Sequence, residues 1–214
     1  MTGEKRRAAG GLFCALLTGA LLAGCVDQSG GGTTGNSDAS GSQAESVETL
    51  LEITDPQEKA AVEAARAKVA AMEEEPRIIA TSPAAADICD RLELDLVGVC
   101  SSSISSMPER YADVEEVGTS MSPDMEIVAS LDPDWILSPS SLQSDLQPKY
   151  EAIDTDWAFL NLRSVPGMYR SIQELGVIFD REEQAQELVD EFTAFYEDYV
   201  TRNEGKESPK VLIL

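Results

Sequence analysis

The chain of 214 residues contains no histidine, and that absence removes the commonest zinc ligand and the commonest general base. It is also short of positive charge, with 16 Lys and Arg against 39 Asp and Glu and a formal net charge of −23. So acidic a chain repels nucleic acid and anionic lipid headgroups, which argues against a DNA or RNA partner and against a basic membrane-surface patch. Cysteine is sparse, at four residues. There is no Cys/His cluster, no Gly-rich nucleotide loop and no Ser/His pair, so no reaction can be assigned and the protein is not expected to be an enzyme. The apolar stretch over residues 12–22 is well short of the ~20 residues needed to span a bilayer.

What the chain does have begins at its amino end. Lys5, Arg6 and Arg7 precede an apolar stretch over residues 12–22, closed by Leu22-Ala23-Gly24-Cys25. A basic start, an apolar run of this length and small residues at its end make a secretory signal. A cysteine directly after Leu-Ala-Gly resembles the lipobox, whose thiol accepts diacylglycerol before the signal is removed. Residues 1–24 therefore read as a lipoprotein signal peptide and Cys25 as the lipidated first residue. The body would be held at the cell membrane on the extracytoplasmic face by its acyl chains. One chain anchors only marginally, at about 0.8 kcal/mol per buried methylene, and the two or three on such a cysteine hold stably.

Residues 25–54 form the anchor and a tether rich in Gly, Ser, Thr, Asn, Asp and Gln, which reads as flexible linker. A lead-in helix is predicted over residues 55–75, with Asp55 as cap, Pro56 at the first helical position and Glu58 completing a capping box. Its apolar positions are Val62, Ala65, Val69 and Met72. From Arg77 the pattern alternates. Strands are predicted at Ile78-Ile79-Ala80, Leu96-Val97-Gly98-Val99, Trp135-Ile136-Leu137 and Trp157-Ala158-Phe159-Leu160. Helices begin at Ser82-Pro83 and Ser122-Pro123, with others over residues 142–153 and through Met168, Ile172, Leu175 and Phe179. Strands alternating with crossover helices predict an α/β lobe over residues 76–180, a parallel sheet flanked by helices. Trp135 and Trp157 start strands and are expected in packing. Cys89 and Cys100 either pair or serve as small buried hydrophobes, and their placement on a helix face and at a strand end favours the second.

Residues 181–205 contain no Gly or Pro before Gly205, and Ala185, Leu188, Phe192, Phe195, Tyr196 and Tyr199 form a stripe along one predicted helix. At 1.5 Å per residue it would be a rod of roughly 36 Å. Lys210-Val211-Leu212-Ile213-Leu214 then reads as a strand, so residues 206–214 are expected to open a second lobe that this chain truncates.

A signal with a lipobox, a tether, an α/β lobe, one long helix and the start of another lobe resemble the helix-linked class of substrate-binding proteins of ABC importers. The likeness covers residues 76–214, through Arg77-Ile78-Ile79-Ala80-Thr81-Ser82-Pro83, Asp95-Leu96-Val97-Gly98-Val99 and Leu131-Asp132-Pro133-Asp134. It implies a periplasmic-binding-protein-like fold, a cargo of ferric siderophore, haem or corrinoid, and an ABC permease with its ATPase as partners. Within that class, Met107-Pro108-Glu109-Arg110-Tyr111 and Val117-Gly118-Thr119-Ser120-Met121-Ser122-Pro123-Asp124 resemble haem-binding lipoproteins of Gram-positive iron uptake. Phe159-Leu160-Asn161-Leu162 and Ser164-Val165 continue that likeness. The resemblance implies that Met121 is an axial ligand to haem iron and that a histidine of the other lobe supplies the second.

A thioether is a soft neutral donor suited to haem iron, and Met121 lies before a helix start, free to point outward. Met107 and Tyr111 are candidates to wall the ligand, though ordinary packing would use them equally well. Glu126 falls where the resemblance implies an acidic knob that docks on permease arginines. The alternatives are a binding protein for an iron–siderophore or corrinoid on the same scaffold, or a cell-surface interaction module without a small ligand.

Overall fold

A computed structural model describes residues 51–206. The lead-in helix α1 (Pro56–Ala70) starts at Asp55, whose side chain accepts from the amides of Gln57 and Glu58 at 2.7 and 3.3 Å. Its Glu58 side chain hydrogen-bonds Glu174. Strand β1 (Ile78–Ala80) leads into α2 (Pro83–Arg91), capped by Ser82, whose hydroxyl accepts from the Ala85 amide. Strand β2 (Leu96–Ser101) follows, then a 3-10 turn at Glu109–Tyr111, β3 (Glu115–Thr119) and the short β4 (Ser122–Pro123). Helix α3 (Met125–Ser130) and β5 (Trp135–Pro139) come next, then a 3-10 turn at Ser140–Leu142 and α4 (Gln143–Tyr150). The lobe closes with β6 (Asp156–Leu160) and α5 (Val165–Ile178), followed by the long α6 (Glu182–Asn203).

The six strands form one sheet in the order β4-β3-β2-β1-β5-β6. All neighbours are parallel except β3 and β4, which pair antiparallel. The sheet is therefore mixed, two strands wider than the sequence pattern predicts. Glu115–Thr119 has exposed acids and only Val117 fully buried, so it carries no strand periodicity of its own and becomes a strand by pairing with β2. Ser122–Pro123 likewise does not cap a helix but turns back along β3. The cap of α3 is Asp124, whose carboxylate accepts from the amides of Glu126 and Ile127.

Alternation along the central strands feeds two apolar layers. Ile78, Ala80, Trp135 and Leu137 face one cluster, shared with α2, α5 and the first half of α6. Ile79 and Ile136 face the other, with Val117, Val128, Leu146 and Tyr150. This is the burial on both faces that crossover helices impose on a parallel sheet. In β2 a register shift beside Ile78 and Ile79 lets Leu96 and Val99 share one face across an extra residue. Gly98 gives the room this packing uses, since a Cβ would lie 2.9 Å from both Leu131 Cδ1 and Val117 Cγ1 and would force those side chains to shift. Cys89 and Cys100 are free and buried, the small-hydrophobe alternative of the sequence reading.

Helix α5 packs against both α1 and α6. Ala185, Leu188 and Val189 of α6 are buried and Phe192 stacks on Tyr169 at 4.7 Å. The same apolar stripe continues through Phe195, Tyr199 and Val200, which are exposed. Among the described residues, no helix is long and apolar enough to cross a membrane. The expected signal peptide, Cys25, the tether and the expected strand at Lys210-Val211-Leu212-Ile213-Leu214 lie outside the described residues.

Candidate functional site at the carboxyl edge of the sheet

In an open α/β sheet, ligands bind beyond the carboxyl ends of the strands, where loops rather than ladder bonds occupy the backbone. Here that edge is made by Thr81 and Ser82 after β1, residues 102–108 after β2, the Ser120-Met121 turn after β3, Ser140–Leu142 after β5 and residues 161–164 after β6. Beneath the two central loops, three buried hydroxyls form a chain. Thr81 Oγ1 lies 2.6 Å from Ser138 Oγ, which lies 2.8 Å from the Tyr150 hydroxyl, and Thr81 also donates to the Leu137 carbonyl. Burial raises the Tyr150 pKa, partly offset by the hydrogen bonds from Ser138 and Thr81, so the phenol stays neutral. A satisfied polar chain of this kind fixes the loops above it, because breaking one member leaves buried groups unpaired.

Met121 stands on this edge. Thr119 pairs with Ser122, which leaves Ser120 and Met121 as the tip of a two-residue hairpin, and the preceding Gly118 takes a positive φ of 91°. The hairpin strands are too short to tuck that tip into the core, and the Met121 side chain is 76% exposed. Behind it, Ser120 hydrogen-bonds the buried Cys100 thiol, whose pKa is raised mainly by desolvation. The thioether is thus the available soft donor at this corner, and the neighbouring thiol remains protonated. On the adjacent loop the Ser102 hydroxyl accepts from the amides of Ile104 and Ser105, holding Ile104 at a tip where it is 95% exposed.

Tyr111 does not join this group, which corrects its placement as a ligand-wall candidate. Its ring is 2% exposed and its hydroxyl donates to the Leu94 carbonyl at 2.6 Å, at the amino end of β2. Burial pushes its pKa well above the usual phenol range. The chain descends from the carboxyl end of β2 through residues 102–108 before Tyr111, so sequence proximity to Met107 and the Met121 hairpin placed it at the wrong edge. Met107 is half-buried against the same apolar cluster as Tyr111 and is accounted for by packing. Glu126 is exposed on the first turn of α3, just after the hairpin, and among the described residues its side chain makes no hydrogen bond or ion pair. Trp135 is core, edge-on to Phe179 at 5.6 Å. The Thr81–Ser138–Tyr150 chain escaped the sequence reading, because nothing in the spacing of three hydroxyls announces that they converge.

A family model described as periplasmic binding protein matches residues 78–214. The chain belongs to the periplasmic binding protein family. The high-affinity heme uptake system protein IsdE of Staphylococcus aureus is 37% identical over 139 residues, covering 64% of this chain and 47% of that protein. The chain thus spans about half the length of the curated relatives it matches. Among solved structures, an ABC transporter substrate-binding protein from Listeria monocytogenes EGD-e is 40% identical with a TM-score of 0.61, over 64% of this chain and 52% of its own. The heme complex of S. aureus IsdE is 33% identical with a TM-score of 0.59, over 63% of this chain and 52% of its own. The siderophore-binding protein BauB, bound to acinetobactin and ferric iron, shares the fold at 21% identity and a TM-score of 0.55, over 63% of this chain and 51% of its own.

Proposed function

We propose that this chain supplies the first ligand-binding lobe of an extracytoplasmic substrate-binding lipoprotein, which captures haem and delivers it to an ABC permease and its ATPase. The observation that carries the reading is Met121. A soft donor is held out at a hairpin tip on the ligand edge of the sheet, in a chain 37% identical to a protein named for heme uptake. Haem is cargo here, and the lobe's work is to bind and orient it. Met121 would offer one axial donor, while Ile104 and the hydroxyl-rich loops would meet the ring's faces and edges. The long α6 permits only limited hinge motion between lobes, which favours a largely preformed cleft. Cys25 would carry the lipid anchor, and Glu126 would dock on permease arginines.

Titration of hemin into the full-length protein tests the reading. The expected result is a shifted Soret band with a six-coordinate spectrum, and loss of the thioether signature in magnetic circular dichroism for Met121→Ala. Most of the apolar contact, and so most of the affinity, should survive that substitution. Binding of a ferric siderophore with no hemin spectrum would overturn the haem assignment and keep the carrier. The anchor is tested separately: Cys25→Ser should move the protein from the membrane fraction to the soluble fraction, and an unchanged membrane fraction would refute the lipidation.

A further inference from the structure

Charge is distributed unevenly between the two edges of the sheet. The turns that enter the strands are acidic, with Glu73, Glu74 and Glu75 before β1, Asp95 before β2, Asp113 before β3 and Asp154 before β6. The loops that leave them are different. Residues 81–82, 102–108, 120–121, 140–142 and 161–164 contain no acid at all, in a chain of formal net charge −23. They contain one base, Arg163, in the loop between β6 and α5.

Arg163 is exposed, and its loop is fixed from below. The Asn161 side chain accepts from the Arg163 amide at 3.3 Å, the Ser171 hydroxyl accepts from the Asn161 amide at 3.0 Å, and Ser164 caps α5. Most other arginines of the described residues have a partner: Arg66 meets Asp180 and Glu182, Arg91 meets Glu191, Arg110 meets Asp95 and Arg202 meets Asp198. Arg77 and Arg181 donate to backbone carbonyls. Among the described residues, no such ion pair or side-chain hydrogen bond is found for the Arg163 guanidinium. An exposed arginine on an edge whose loops carry no acid is a local positive site in an otherwise acidic protein, open to an anionic group of a ligand.

We propose that Arg163 is the anion-recognition residue of this edge, pairing with a carboxylate of an amphipathic tetrapyrrole whose metal lies toward Met121. The inference rests on the haem reading and adds an orientation to it. Three strands separate β3 from β6, so the two loops start roughly 19 Å apart at 4.7–4.9 Å per strand. Methionine and arginine are both long enough to bridge part of that gap from either end, leaving the span of an extended planar ligand. The loops between them carry apolar Ile104 and Leu142 with several serines, which suits the body of such a ring. A guanidinium also fits a carboxylate in bidentate fashion, so it sets orientation as well as attraction.

The test titrates full-length protein with hemin and with hemin dimethyl ester, whose carboxylates are capped, comparing the parent with Arg163→Gln and Arg163→Lys. The parent should prefer hemin to the ester. Arg163→Gln should weaken hemin binding about five- to ten-fold, leave the ester affinity unchanged and so erase the preference, while Arg163→Lys should restore part of it. Hemin affinity of the parent should fall with salt more steeply than that of Arg163→Gln. An equal loss for both ligands, or a loss for neither, would overturn the role of Arg163 while leaving the hemin spectrum and the haem reading in place. A parent that binds neither ligand overturns both.

Discussion

At the amino edge of the sheet, the Arg77 guanidinium is shared between the Leu131 and Asp132 carbonyls, Arg110 meets Asp95 at 2.7 Å, and the Tyr111 hydroxyl donates to Leu94. At the carboxyl edge Ile104 and Met121 stand out in solvent, and Arg163 is exposed with no ion pair among the described residues. Both edges are loops of one lobe, built from the same strands. The difference is that one edge commits its side chains to the fold and the other leaves them for something else. Between those exposed groups, at the two central strands, the hydroxyls of Thr81, Ser138 and Tyr150 are consumed among themselves and fix the middle of the edge. That is the arrangement a preorganised binding surface requires.

The comparison breaks first at Tyr111. Truncating a buried aromatic costs about 3–5 kcal/mol, so Tyr111→Ala should lower the denaturation midpoint of the full-length protein severely. Tyr111→Phe should cost about 1–2 kcal/mol through the orphaned Leu94 carbonyl. If Tyr111→Phe instead altered the bound-hemin spectrum at full stability, Tyr111 would belong to the ligand edge after all. Met121→Ala should show the reverse pattern, a stability change within about 0.5 kcal/mol, as for other exposed positions, and a changed hemin spectrum. A large stability loss in that variant would mean that the hairpin tip serves the fold.

A third site lies away from both edges and sharpens the contrast. Where α1 meets α5, burial first and then the hydrogen bond and charge of Glu58 push the Glu174 carboxyl up to about 8, with Arg170 acting in the opposite direction. A carboxyl whose folded pKa is raised contributes fully below its unfolded pKa and loses that contribution as pH rises toward the folded value. Stability of the full-length protein should therefore fall by on the order of 1 kcal/mol between pH 5 and pH 8, given partial solvent screening. Glu174→Gln should flatten the profile, and hemin binding should not follow it. A pH profile equally steep in the variant would place the titrating group elsewhere. The smallest effect is expected at Glu126. Glu126→Lys should leave stability and hemin binding unchanged and weaken permease docking several-fold, most clearly at low salt. Unaltered permease affinity at low ionic strength would remove the docking role.

Much of the lobe was legible because its signals are local. Ser82-Pro83 and Asp55-Pro56 announce helix starts through caps that need only their own neighbours, and both caps form. The four apolar runs all form strands, three of them largely buried and the edge strand Asp156–Leu160 only half-buried before Leu160, and the Gly- and Pro-free stretch after Arg181 is one helix, Glu182–Asn203. Glu58 shows the limit. As part of a capping box it is a local residue, yet its carboxyl meets Glu174, a partner that only the packing of α1 on α5 brings to it.

The sequence by itself determined where chain segments change character, which residues must leave water, and that Met121 precedes a helix rather than lying on one. Only tertiary structure decided that Glu115–Thr119 is a strand, that Tyr111 is core and that three distant hydroxyls share a chain. It also decided that the apolar stripe of α6 is covered by this lobe at Leu188 and left exposed at Phe195. Periodicity and caps report what each residue needs, whereas the partner that meets the need is set by strand order and crossover, which bring residues tens of positions apart into contact.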